Sequence, residues 1–295
     1  MTRNHPDVTL LAHNYVRPEV QDAADFVGDS LELARLATGT GTPFIVVAGV
    51  DFMAETAAVL NPDRTVLHPE PCASCAMALR LRPEAVLAAR AEHPDAAVVA
   101  YVNTSAEVKA VSDICCTSAN AVQVVNALEE DEVIFLPDRN LAAHVAARTT
   151  KTVFPVPALG CCPVHQILTP ADLAAARRAY PGAEVMVHPE CTPAVQDAAD
   201  FTGSTSQMLR RARETPAGTV IVGTEIGMLH RLERDVPGKR FFPASPLLVC
   251  PDMKMMTLEV VERAIERRSP AVTVTAGVAG GARAALERML ALPGP

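Results

Sequence analysis

Seven consecutive residues, Val20-Gln-Asp-Ala-Ala-Asp-Phe26, recur letter for letter at Val195 to Phe201, 175 residues further on. An identity of that length within one chain marks a duplicated unit, so the fold must be assembled from copies of it. The match extends outward at the same offset, pairing His13 with His188, Pro18 with Pro193, Gly28 with Gly203 and Arg35 with Arg210. Halving the offset predicts a diverged middle copy. The stretch beginning at Tyr101 fits, with Val108 on Val20, Asp113 on Asp25 and Ser118 on Ser30; Thr205 stands at the last of these places in the third copy.

Each copy reads as an apolar strand ending near His13, Tyr101 or His188, then a polar turn, a helix, and a second apolar strand with its own helix. The second strands are Phe44 to Val50, Glu132 to Leu136 and Thr219 to Gly223. Helical patterns follow from Asp51, Arg139 and Gly227, and Met53, Leu141 and Met228 coincide under the repeat. Strands alternating with helices predict parallel α/β layers. Three units of about 87 residues give limits of 1–83, 84–170 and 171–295, the last carrying a C-terminal helical extension. Pseudo-threefold packing is the natural arrangement. Ligands bind beyond the carboxyl ends of parallel strands, so His13, Tyr101 and His188 are expected to face one cavity on the axis.

Of the 295 residues 49% are hydrophobic, enough for a large folded core and incompatible with disorder. The longest apolar runs, such as Phe44 to Val50, fall far short of the ~20 residues that cross a bilayer. The polar start at Met1 and the break at His13-Asn14 lack the pattern of a secretory signal, and a cytoplasmic protein is expected. A formal charge of −8, 4% aromatic residues and no Trp argue against nucleic acid as a partner. Small molecules are the expected partners. Eight Cys in a reducing compartment require metal binding, catalysis or burial as their explanation.

Cys75, Cys162 and Cys250 are spaced by 87 and 88 residues, one to each unit. Three thiolates brought to one point suit an iron–sulfur cluster with one iron lacking a protein ligand. The competing explanation is inheritance of a small buried residue from one ancestor. Zinc also fits the spacing, although a structural zinc site prefers four ligands, often in close pairs, and only Cys72-Ala-Ser-Cys75 offers a pair. Cys72, Cys161, Cys191 and the Cys115-Cys116 pair break the period and are expected to be structural or incidental.

Several ordered strings resemble the quinolinate synthase family over nearly the whole chain: His13-Asn-Tyr-Val-Arg-Pro-Glu, Ala24-Asp-Phe-Val-Gly-Asp-Ser, Pro137-Asp-Arg-Asn-Leu, Val187-His-Pro-Glu-Cys, Gly223-Thr-Glu-Ile-Gly-Met and Met253-Lys-Met-Met. The resemblance implies three similar three-layer αβα domains around a central site, and a [4Fe-4S] cluster on Cys75, Cys162 and Cys250 with its open iron as Lewis acid. It further implies condensation of iminosuccinate, supplied by a separate aspartate oxidase or dehydrogenase, with dihydroxyacetone phosphate. The products are quinolinate, phosphate and water, a step in making NAD. No Cys follows Cys250, so a thiol switch of the kind carried there by longer relatives is absent.

By the same resemblance His13 and His188 contact substrate, Tyr101 and Asn103 do so from the middle unit, and Glu190 and Tyr15 join His188 and Tyr101 in catalysis. Ser30, Ser118, Ser204 and Thr205 match hydroxyl positions for carboxylate or phosphate oxygens; Ser30, Ser118 and Thr205 also suit helix N-termini, where backbone N–H groups favour anions. Each has a plainer explanation: a satisfied histidine at a strand end, a packing tyrosine, a turn carboxylate. Glu225 and Lys254 suit either support of Cys250 or an interdomain ion pair, and Arg17 and Arg35 suit solvated surface charges. Two alternatives of other kinds stand beside this reading, a cluster-dependent hydro-lyase acting on a hydroxy acid and a metal-stabilised dicarboxylate-binding protein. A radical enzyme using S-adenosylmethionine is disfavoured, because its three ligands lie close together in one loop.

Overall fold

The computed structural model describes residues 5–293; the polar start at Met1 to Asn4 and the outer unit limits at 1 and 295 lie outside them. Three four-stranded sheets carry the fold. The first contains β1 (Val8–His13), β2 (Phe26–Gly28), β3 (Phe44–Ala48) and β4 (Thr65–Leu67); the second β5 (Ala97–Tyr101), β6 (Ile114–Cys116), β7 (Glu132–Leu136) and β8 (Thr152–Pro155); the third β9 (Glu184–Val187), β10 (Phe201–Thr202), β11 (Thr219–Gly223) and β12 (Arg240–Pro243). Strand orders are β2-β1-β3-β4, β6-β5-β7-β8 and β10-β9-β11-β12, one topology three times, with every strand pair parallel. Helices flank each sheet, as the alternation of strand and helix patterns requires. β1, β5 and β9 are buried throughout, as expected of parallel strands covered on both faces.

The duplicated motif does not form one helix. Pro18–Ala23 and Pro193–Asp197 are short helices, after which the chain returns to the sheet as β2 or β10. The repeated aspartate explains the return. Asp25 Oδ2 accepts the Leu10 backbone N–H at 2.8 Å, Asp113 Oδ2 that of Val98 at 2.7 Å, and Asp200 Oδ2 that of Val185 at 2.8 Å. Each carboxylate extends the edge of the sheet just before its brief edge strand begins, giving a central-strand N–H the partner that burial demands.

The helix Leu258–Arg267 packs against β3 and against the helix Pro18–Ala23. Pro83–Glu92 packs in the same way against Ala106–Ala110, and Pro170–Ala179 against Pro193–Asp197, so the chain's late helix covers its first unit. The final helix, Ala276–Ala291, lies across Ala106–Ala110, β6 and the helix Asp51–Leu60, tying the first unit to the second. Among the described residues no helix is long and apolar enough to cross a membrane.

Candidate functional site

Beyond the carboxyl ends of β1, β5 and β9 lies a cavity of about 140 Å³ shared by all three units. The first unit contributes His13, Tyr15, Ser30 and Cys75, the second Tyr101, Asn103, Ser118 and Cys162, and the third His188, Glu190, Thr205 and Cys250. Ser204 alone among the expected residues is not on the wall. It caps the helix Thr205–Glu214, its Oγ accepting the Gln207 N–H at 3.3 Å, and so sets Thr205 at the helix mouth. Asp29 caps the helix Ser30–Gly39 in the same manner and places Ser30. Ser118 stands before the helix Ala121–Asn126, its Oγ 3.2 Å from His188 Nε2.

A buried polar chain crosses the cavity floor. Glu190 Oε2 lies 3.1 Å from His165 Nδ1 and 3.3 Å from His188 Nδ1. His165 Nε2 meets Thr224 Oγ1 at 2.8 Å, and Thr224 Oγ1 meets the Tyr15 hydroxyl at 2.5 Å. Burial alone would raise the Glu190 pKa, but hydrogen bonds from His165 and His188 outweigh it and hold the carboxyl below its ordinary range. Burial pushes the His188 imidazole down, opposed by Glu190. His13 is lowered to about 3, chiefly by burial and then by repulsion from His188. Its Nδ1 accepts the Tyr15 backbone N–H at 3.2 Å, leaving the ring proton on Nε2. Burial raises the Tyr15 and Tyr101 phenols well above their usual range, so both are protonated donors. Asn103 Oδ1 and Glu190 Oε1 are buried without a partner, and acceptors left open in a cavity are suited to a ligand.

The three period-related thiols line this same cavity. Cys162 and Cys250 stand at the N-caps of the short helices Pro163–Gln166 and Pro251–Met255, and Cys75 precedes the helical turn Ala78–Arg80. The backbone N–H groups of Met77 and Ala78, of His165, and of Asp252 and Met253 favour the thiolate forms of Cys75, Cys162 and Cys250 respectively. Burial nevertheless pushes Cys75 up to about 12, Cys250 up to about 11 and Cys162 well above its usual value. Three thiols brought to one wall fit a metal group, whose charge would deprotonate them. Cys162 Sγ, His165 Nδ1 and a Glu190 oxygen form a second set within 4.8 Å of one another that could hold a metal ion. These three already bond among themselves, with His165 Nδ1 3.2 Å from Cys162 Sγ. Cys115, Cys116 and Cys191 are buried in the structure away from this wall, whereas Cys72 is exposed and Cys161 partly so.

Comparison with known proteins agrees with this geometry. A family model described as quinolinate synthetase A protein matches residues 1–291. The chain belongs to the quinolinate synthase family. A protein named quinolinate synthase from Methanoregula boonei is 56% identical over 283 residues, covering 96% of this chain and 93% of that one. One of that name from Pyrococcus furiosus is 50% identical, covering 95% and 92%, and one from Methanothermobacter thermautotrophicus is 48% identical, covering 98% and 95%.

In this member of the quinolinate synthase family, several site groups stand outside the repeat pattern. His165 and Thr224 carry no periodic signal in the sequence, and Thr224 stands there only inside the string Gly223-Thr-Glu-Ile-Gly-Met. Lys254 is an ion-pair partner of Glu225 at 2.8 Å and also donates to the Tyr15 carbonyl at 2.6 Å. Arg17 is no free surface charge, because its Nε donates to the Lys254 carbonyl at 2.7 Å. Arg35 likewise donates to the Leu292 carbonyl.

Proposed function

We propose that this chain condenses iminosuccinate with dihydroxyacetone phosphate to form quinolinate, phosphate and water in de novo NAD biosynthesis, holding a [4Fe-4S] cluster on Cys75, Cys162 and Cys250. The observation that carries the proposal is the meeting of three period-related cysteines and three strand ends on one cavity, in a chain whose close relatives are named quinolinate synthase. When bound, the cluster supplies a Lewis acid at the iron that has no protein ligand.

The chain's own groups suit the rest of the chemistry. Both substrates are anionic, and Ser30 and Thr205 present hydroxyls at the first turns of two ten-residue helices, whose dipoles favour anions there. Ser118 adds a third hydroxyl and Ser204 supports Thr205 from behind. Neutral His13 offers its Nε2–H, protonated Tyr101 its O–H, and Asn103 the open Oδ1 to a substrate donor. Glu190 and His188 exchange a proton across their 3.3 Å contact, and Tyr15, tied through Thr224 to His165, stands where a second proton can be given or taken. A cytoplasmic setting and supply of iminosuccinate by an aspartate oxidase or dehydrogenase belong to the same proposal.

The test is anaerobic purification with iron and sulfide analysis, together with turnover of the two substrates and the variants Cys75→Ser, Cys162→Ser and Cys250→Ser. Iron and sulfide in near-equal amounts, lost in all three variants, is the expected result. Full clusters in the variants would refute the ligand assignment. Zinc without sulfide would favour the set of Cys162, His165 and Glu190 in a metal-stabilised binding protein, and dehydration of a hydroxy acid without condensation would favour a hydro-lyase.

A further inference from the structure

Behind each of the three cysteines a carboxylate grips the backbone. Asp51 Oδ1 accepts the Cys75 N–H at 3.3 Å, Asp138 Oδ2 the Cys162 N–H at 2.9 Å, and Glu225 Oε1 the Cys250 N–H at 3.1 Å. The carboxylates precede their cysteines by 24, 24 and 25 residues. Each also bonds the start of the helix that follows the unit's second long strand. Asp51 Oδ1 takes the Phe52 N–H at 2.8 Å, Asp138 Oδ1 that of Leu141 at 2.7 Å, and Glu225 Oε2 that of Gly227 at 2.6 Å. A helix start and a cysteine loop are therefore pinned to one side chain in every unit. Asp138 and Glu225 are fully buried, where the backbone N–H groups they bind have no water to turn to.

We propose that Asp51, Asp138 and Glu225 are positioning residues for the three cysteine loops, setting how firmly the metal group is retained. The proposal rests on the cluster reading above. None of the three needs to touch substrate; they act through the loop N–H groups, as outer partners of metal ligands do. The third anchor is longer and is braced by Lys254, whose ammonium also holds the Tyr15 carbonyl, so the Cys250 loop and the Tyr15 loop share one support.

The bonding pattern makes the test specific. Asp138 and Glu225 use different oxygens for the helix and the cysteine, so Asp138→Asn and Glu225→Gln keep one acceptor and turn the other into a donor. Asp51 uses one oxygen for both, so Asp51→Asn can keep both bonds and Asp51→Ala can keep neither. In anaerobically reconstituted holoenzyme, iron release to a ferrous chelator is expected to quicken about 10–100-fold in Asp138→Asn, Glu225→Gln and Asp51→Ala. Asp51→Asn should release iron at the parent rate. Far-ultraviolet circular dichroism and the thermal midpoint of each variant report folding separately. Parent-like release in Asp138→Asn and Glu225→Gln, or a lowered midpoint with unchanged release, would overturn the proposal. The Cys→Ser variants separate its failure from that of the cluster reading: if they lose iron while the carboxylate variants retain it normally, only the anchoring role is wrong.

Discussion

At the scale of single residues, His13 shows what the cavity asks of its wall. Its side chain is buried and its pKa lowered to about 3, against about 6.5 in an unfolded chain. Between these values the unfolded state binds the proton and the folded state does not, so stability falls as pH falls through that window. From pH 7 to pH 5 this group alone should cost roughly 2 kcal/mol, at about 1.4 kcal/mol per pKa unit. Urea unfolding of the parent and of His13→Asn at both pH values checks it: the variant should lose about 2 kcal/mol less on acidification. Equal losses would show that the imidazole is not held neutral. Thr224 gives a second prediction, for it joins Tyr15 to His165 and has no other role in view. Thr224→Val leaves two buried polar groups unpartnered at about 1–3 kcal/mol each, so turnover should drop roughly tenfold or more while Thr224→Ser stays near the parent. Steady-state kinetics with unchanged KM and kcat in the valine variant would remove Thr224 from the mechanism. His13, Tyr101, His188, Ser30, Ser118, Thr205 and the three cysteines were legible because they recur at the repeat's offsets, and Tyr15, Asn103 and Glu190 because of the family resemblance; His165 and Thr224 were not, because each serves the shared axis once and leaves no periodic trace. Asp138 was hidden differently. Matching Met53 to Leu141 sets Asp51 opposite Arg139, and only counting back from the cysteines brings the two aspartates together.

At the scale of elements, the long central strands could be read from their apolar runs, but the edge strands could not. β2, β6 and β10 hold two or three residues inside polar sequence, and their place depends on the Asp25, Asp113 and Asp200 side chains rather than on periodicity. A second threefold device joins the short helices to the site. Gln21 Nε2 donates to the Asn14 and Val16 carbonyls, and Gln196 Nε2 to those of Pro189 and Cys191. In the middle unit Lys109 donates instead to the Thr104 carbonyl, fully buried and 5.4 Å from the centre of the Phe52 ring. Burial lowers its pKa. An amide does this work in the other two units without bringing a charge indoors. Lys109→Gln should therefore change unfolding free energy by less than about 1 kcal/mol, whereas Lys109→Met, which strands the Thr104 carbonyl, should cost about 1–3 kcal/mol. Urea titrations of the pair decide it, and a methionine variant as stable as the parent would mean the loop is held by other contacts.

For the whole molecule, closure is the property that the repeat alone could not reveal. Three equivalent units can be read from an offset, but not the return of Leu258–Arg267 to the first unit, because that helix carries no copy of the repeated letters. The final helix completes the ring, and two neighbouring glycines in it separate helix propensity from packing. A Cβ at Gly281 would stand 2.5 Å from the Ala110 carbonyl oxygen and 3.1 Å from the Ala110 Cα, whereas a Cβ at Gly280 meets nothing within 4 Å. The obstacle at Gly281 is backbone of the helix Ala106–Ala110, which cannot swing aside as a side chain can. Gly280→Ala should stabilise by about 0.5–1 kcal/mol, the ordinary gain of removing glycine from a helix interior. Gly281→Ala should forfeit that gain and lose about 1–3 kcal/mol through overpacking. Because Ala106–Ala110 follows directly on the loop that bears Asn103 and begins after Tyr101, forcing the final helix outward should also raise KM in the Gly281 variant and leave it unchanged in the Gly280 variant. Unfolding free energies and KM measured together make the two substitutions a test of the seam itself: if both alanines stabilise equally, the final helix does not bear closely on the second unit, and closure of the ring must come from Leu258–Arg267 instead.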